Sequence, residues 1–166
     1  AIKDQLKLPN LQVKEIPITS QNRITLLQNG TIDIECGSTT NNLERQKQAS
    51  FTTSIFIIGT RIMVKKDGGI KDWADLAKPG VKVVIPNPKT AGNGRYTYLA
   101  AWGSVVKKGG NEAQARDLVG KIFKNVPVLD AGGRAATTTF TQRQIGDALV
   151  TFENEVNLVR AEFGND

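Results

Sequence analysis

The chain has 166 residues, of which 39% are hydrophobic and 23% charged, enough for one globular domain or two small lobes with a core. The net charge of +6 splits into +4 over residues 1–66 and +2 over 67–166, and no basic run exceeds two residues, which excludes the clustered stripe of a nucleic-acid binder. With no histidine and Cys36 as the single cysteine, a zinc site, a Ser-His-Asp triad and an internal disulfide are excluded, no stretch approaches the length of a membrane helix, and Ala1-Ile2-Lys3-Asp4 does not open a signal peptide.

Residues 3–8 are expected to form the last turns of a helix, closed by Pro9-Asn10. Leu11 to Ile18 alternates apolar and polar and predicts a strand, and Ser20 is placed to cap a helix that runs to about Gln28 and stops at Asn29-Gly30. Thr31 to Cys36 alternates again, with Cys36 expected as a small buried hydrophobe. Asn41 or Asn42 starts a short helix ending near Gln48, and Thr52 to Val64 is a long β-rich run. Lys65 to Gly69 is a polar turn and the candidate boundary between two parts.

Beyond the turn, residues 71–76 predict a short helix and Val81 to Ile85 a buried strand. Loop 86–94 leads into helices over 95–107 and 111–124, then a short strand over 125–129. Residues 137–144 predict a helix, Ala148 to Phe152 a strand and Glu153 to Glu162 the last helix. Strands alternating with helices imply a mainly parallel sheet covered on both faces. Ligands of such sheets bind beyond the carboxyl ends of the strands, at helix N-termini. That rule selects loops 19–23, 37–41, 86–94, 130–137 and 152–154.

Each loop has a plain structural reading beside the functional one. Loop 86–94 can hold an anion on backbone N–H groups or be a tight turn. Its Lys89-Thr90 lacks the glycine order of a phosphate loop. In loop 130–137, Gly132 and Gly133 permit close approach of a ligand, Thr137, Thr138 and Thr139 can cap the next helix, and Arg134 can pair with an anion or with Asp130. Ser38 and Thr40 with Arg45, and Ser20 with Arg23, form two hydroxyl–guanidinium pairs suited to a carboxylate, or else helix caps beside surface arginines. Glu153 and Glu155, two apart, are expected on different sides of a solvated helix start.

Two stretches carry resemblances. Ile-Pro-Ile-Thr-Ser-Gln-Asn-Arg, Leu-Leu-Gln-Asn-Gly and Glu-Cys-Gly-Ser-Thr-Thr-Asn-Asn-Leu-Glu-Arg-Gln-Lys-Gln place residues 1–66 close to the first lobe of periplasmic glutamate/aspartate-binding proteins. This resemblance implies that Ser20, Arg23, Ser38, Thr40 and Arg45 hold an acidic amino acid, while that family's first strand has no counterpart. Asp-Trp-Ala-Asp-Leu-Ala-Lys-Pro-Gly, Pro-Asn-Pro-Lys-Thr-Ala-Gly-Asn-Gly-Arg-Tyr and Gly-Asp-Ala-Leu-Val-Thr-Phe-Glu-Asn-Glu make residues 70–166 resemble the second lobe of sulfate/thiosulfate-binding proteins. That resemblance implies an anion held at Ala91, Gly92, Asn93 and Gly133, largely by backbone N–H groups. The family commonly has serine where Ala91 stands and often tryptophan where Phe152 stands.

Together the resemblances imply an α/β fold of the periplasmic-binding-protein-like type II class, with three-layer α/β/α lobes and mainly parallel sheets. They divide the chain into a partial first lobe, 1–66, and a second lobe, 67–166. The implied function is an extracellular solute-binding protein of the ABC-transporter type. It would take a small anion or acidic amino acid, with weakened affinity, and hand it to a membrane permease in the periplasm or outside the cell. No catalysis, metal, cofactor or nucleic acid is implied, and a homodimer is possible through an open sheet edge. The alternative reading is a recombined chimera with a structural role only.

Overall fold

The computed structural model describes residues 2–54 and 57–164. The elements in chain order are α1 (Ile2–Gln5), α2 (Arg23–Gln28), α3 (Leu43–Gln46), β1 (Thr60–Val64), a 3-10 turn (Asp75–Ala77), β2 (Val83–Pro86), α4 (Gly92–Lys107), α5 (Glu112–Lys124), β3 (Leu129–Asp130), α6 (Gly133–Thr141), β4 (Ala148–Phe152) and α7 (Glu153–Phe163).

One four-stranded sheet runs β1-β4-β2-β3. β2 pairs in parallel with β4 (Val83 with Ala148) and with β3 (Ile85 with Leu129), while β1 joins β4 antiparallel, Ile62 opposite Val150. The two-residue period of the strands divides the core. Val83, Ile85, Ala148 and Val150 pack with Ala101 of α4 and with Val119 and Ile122 of α5 on one face. Val84 and Leu149 pack with Ala136 and Phe140 of α6 on the other. The result is the mainly parallel, three-layer α/β arrangement that the element order implies.

α5 forms where sequence signals are strongest. The Asn111 side chain accepts from the Gln114 N–H at 3.0 Å, and Gln114 Oε1 accepts from the Asn111 N–H at 2.9 Å, a reciprocal cap. α4 begins three residues earlier than expected, at Gly92, because Gly94 lets the first helical turn lie against the backbone of Pro86 to Pro88.

The amino-terminal part differs from expectation. Residues 11–18 and 31–36 form no strand, and the β-rich run 52–64 yields only β1; Ile55 and Phe56 of that run lie outside the described residues. Alternation alone does not make a strand: a strand needs a neighbour to take its backbone hydrogen bonds and a core to take its apolar face. No described residue before Leu76 is buried, and Val13, Ile34 and Ile57 are 69%, 66% and 96% exposed. Cys36 is exposed as well, contrary to its expected burial. α2 starts at Arg23 rather than under a Ser20 cap, because Asn22 takes the cap position and its Oδ1 accepts from the Thr19 N–H at 2.7 Å.

Candidate functional site

The carboxyl ends of β2, β3 and β4 open into a cavity of about 470 Å³. All nine residues singled out from the sequence, Ser20, Arg23, Ser38, Thr40, Arg45, Ala91, Gly92, Asn93 and Gly133, line it. One wall is built from the starts of α4 and α6. Neither start has a side-chain cap, with Ala91 and Gly132 in the cap positions, whereas α3 and α5 are capped by Asn42 and Asn111. The first N–H groups of α4 and α6 are therefore left to the cavity, with the positive end of each helix dipole behind them. Two hydrogen bonds set these loops against each other: Thr90 Oγ1 donates to the Ala131 carbonyl at 2.9 Å, and the Asn87 N–H donates to the Asp130 carbonyl at 2.7 Å.

The opposite wall comes from loops 18–23 and 38–45. Arg23 organises it. Its guanidinium reaches Ser20 Oγ at 3.2 Å, Glu35 Oε1 at 3.2 Å, the Thr39 hydroxyl and the Thr19 carbonyl at 3.3 Å. Arg45 Nη1 donates to the Thr40 carbonyl at 2.9 Å, and the Asn42 side chain caps its backbone N–H at 2.9 Å. Partial burial, with Arg23 and Arg95 nearby, lowers the Arg45 pKa from its ordinary value. Glu35 acts in the opposite sense and offsets part of that repulsion.

The walls touch. A Cβ on Gly92 would collide with the Thr40 hydroxyl, and one on Gly132 with the Ser20 hydroxyl. Two sequence expectations fail here. Thr137, Thr138 and Thr139 do not cap α6 but lie inside it, and Thr137 Oγ1 donates to the Gly133 carbonyl at 3.0 Å. Glu155 is not solvated: it is 7% exposed, accepts from Thr137 Oγ1 at 3.2 Å and pairs with Arg134 Nε at 3.5 Å, so Arg134 meets neither Asp130 nor open solvent alone. Spacing of two separates Glu153 from Glu155 as expected, but it does not say that one side faces α6. Glu153 pairs with Arg61 at 3.0 Å on the surface.

Residues 35–163 match the family described as bacterial extracellular solute-binding protein. The chain belongs to that family. A stretch of 111 residues is 63% identical to the thiosulfate-binding protein of Pseudomonas aeruginosa, covering 66% of this chain and 33% of that protein. A stretch of 91 residues is 63% identical to the glutamate/aspartate import solute-binding protein of Salmonella typhimurium, covering 55% of this chain and 30% of that protein. Among solved structures, the sulfate-binding protein SubI of Mycobacterium tuberculosis superposes with a TM-score of 0.58 at 28% identity, over 64% of this chain and 38% of that one. The chain thus spans about a third of the length of the curated relatives it matches. Matches to both kinds of binding protein, each over part of the chain, are what a recombined or partial member of the family gives; nothing in them favours a purely structural role.

Within this solute-binding fold, the cavity also takes polar side chains beyond those nine: Asp130 and Glu155 bring carboxylates to it, Arg134 and Arg143 a third and a fourth guanidinium, and Thr138 a hydroxyl. Asp130, Arg134 and Thr138 belong to the strand-end loop 130–137 or the residue after it, whereas Arg143 and Glu155 carry no local signal for the site. Among the described residues no cluster suits a metal ion, and no helix is long and apolar enough to cross a membrane.

Proposed function

We propose that the cavity binds a small anion or an acidic amino acid, and that the chain serves as the ligand-binding part of a solute-binding protein feeding an ABC-type membrane permease outside the cytoplasm. One observation carries this reading: the arginine pair Arg23 and Arg45 shares a cavity with two helix starts that have no side-chain cap. Guanidinium forks suit carboxylates, and free helix N–H groups suit oxyanions. The names of the relatives, which bind thiosulfate, sulfate, glutamate or aspartate, support the same ligand range. The two-lobe division at 66/67 belongs to this proposal, with β1 as the strand that leads from the first lobe into the sheet of the second.

The test is a thermal melt with sulfate, thiosulfate, glutamate and aspartate. A ligand at a hundred times its dissociation constant stabilises by about 2.7 kcal/mol, which raises the midpoint of a domain this size by about 5–11 °C. Arg23→Ala and Arg45→Ala should each reduce the shift given by glutamate and aspartate. If none of the four ligands moves the midpoint, the binding function is refuted.

A further inference from the structure

We propose that β1 is a pairing edge, and that two copies of the chain join there edge to edge, antiparallel, with their Ile62 residues facing each other on a twofold axis. This surface lies outside the cavity lining and is independent of the ligand the cavity holds.

The ladder fixes which backbone groups are free. The Glu153 N–H donates to the Gly59 carbonyl at 3.0 Å, one step beyond Thr60 opposite Phe152. Facing residues of an antiparallel ladder alternate between pairs that exchange hydrogen bonds and pairs that turn those groups away. Gly59, Arg61 and Met63 therefore direct theirs to β4, and Thr60, Ile62 and Val64 turn N–H and C=O outward. Among the described residues no backbone group bonds to that outer side, and the Thr60 carbonyl has only the Arg61 guanidinium, at 3.3 Å.

Sheet edges are commonly blunted by shortness, proline, a bulge or charge. The opposite edge, β3, is only two residues long. β1 has five residues, no proline, and unbroken register from Thr60 to Val64. Its one charge, Arg61, is held by Glu153 at 3.0 Å. Ile62 and Val64 pack on one face of the core and Met63 on the other, each only partly buried. A strand laid along β1 covers what they leave open.

The occupant is a second copy because the edge complements itself. Centred on Ile62, Thr60 faces the partner's Val64 and Arg61 faces the partner's Met63, so no like charges meet. Outward groups then face outward groups, giving about six hydrogen bonds. Moving the axis to Arg61 sets Arg61 against the partner's Arg61, and moving it to Met63 sets Arg61 against the partner's Lys65; both registers are disfavoured by like charge. In the favoured register the partner's Lys65 falls opposite Gly59 and in one row with Glu153, an opposite charge. Thr60 lies beside Phe152, a cavity residue, so the partner's Lys65 also arrives at the end of the sheet where the cavity opens.

The experiment is sedimentation velocity of the whole chain, with Cys36→Ser throughout so that no disulfide contributes. The mass should rise from 18.0 kDa toward twice that value between about 1 µM and about 100 µM, as mass action requires of a small interface. Thr60→Pro removes an outward N–H at the first residue of an edge strand, where proline is tolerated, and leaves the bonds to β4 in place. It should raise the dissociation constant at least tenfold and leave the melting midpoint at about 1 µM unchanged. Spin labels on Lys65→Cys, each three residues from the axis at about 3.4 Å per residue, should sit about 20 Å apart, whereas parallel pairing sets them about 5 Å apart. The concentration series and the label distance decide the matter even if Thr60→Pro fails to fold. A mass of 18.0 kDa at about 100 µM, a dimer as tight in Thr60→Pro as in its parent, or a label distance far from about 20 Å overturns the pairing and leaves the anion-binding function standing.

Discussion

Gly94 is the residue on which the seating of the helix-start wall depends most directly. It lies in the first turn of α4, buried, where an added Cβ would fall 2.8 Å from Asn87 C and 2.8 Å from Pro88 N and closer still to the Pro86 carbonyl oxygen. These are backbone atoms at the end of β2, so no side chain can turn aside. Gly94→Ala must therefore push α4 away from the loop or strain the loop itself. Overpacking of this kind costs about 1–3 kcal/mol. At about 2–4 °C per kcal/mol, the midpoint should fall by about 2–12 °C. Gly103, two and a half turns on in the same helix, meets nothing within 4 Å. There alanine only gains helix propensity, about 0.5–1 kcal/mol, and the midpoint should rise by about 1–4 °C. Calorimetric or circular-dichroism melts of the two variants against the parent read both values. A Gly94→Ala midpoint equal to or above that of the parent would refute the described seating of α4 on loop 86–88.

Three further outcomes are open to measurement. Asn111→Ala removes the reciprocal cap of α5 and should destabilise by about 1 kcal/mol, read as a midpoint lower by about 2–4 °C. The ammonium of Lys78 and the N–H groups of Lys71 and Asp72 lower the Asp75 pKa from 3.8 to about 2. A depressed carboxylate stabilises fully above its unfolded value and loses that contribution as pH falls through its folded one, so melts between about pH 4 and pH 2 should decline less steeply for Asp75→Asn than for the parent. Glu155→Gln removes a buried negative charge from the cavity and frees Arg134, and should tighten anion binding about tenfold, equivalent to about 1.4 kcal/mol, in calorimetric titration; unchanged or weaker binding would show that Glu155 serves the site by holding Arg134 in place.

What was legible in the sequence tracks how local the determinants are. The α5 cap is contained in Asn111 and Gln114, and β4 is a run of five buried residues, so both are found where expected. Ser20, Arg23, Ser38, Thr40, Arg45 and Gly133 stand out from the strand-end loops alone, the resemblance adds Ala91, Gly92 and Asn93 by name, and the fold brings all nine together because the strand ends and helix starts converge. The strands expected at 11–18 and 31–36 depend on partners elsewhere, which local alternation cannot report. α4 starts before the expected Arg95 because an uncapped glycine start gives no cap signal in the sequence. The burial of Glu155 has no local signal because it depends on α6 lying across from it, a tertiary fact.

The two walls of the cavity rest on unequal foundations. The helix-start wall is fixed from behind by the core: Val83, Ile85, Val150 and Ile122 are at most 1% exposed, and α4 and α6 pack directly on the sheet. The arginine wall has no buried residue of its own and is held by hydrogen bonds centred on Arg23, each with a net contribution of about 0.5–1.5 kcal/mol. Segments with few buried contacts open at lower free energy than the core does. A ligand that contacts only the helix starts leaves the arginine wall as loose as before. A ligand that spans both walls must order it, and so binds with less than the sum of its contacts. Under the proposed function, affinity is therefore set as much by how firmly loops 18–23 and 38–45 are held as by the donors they present.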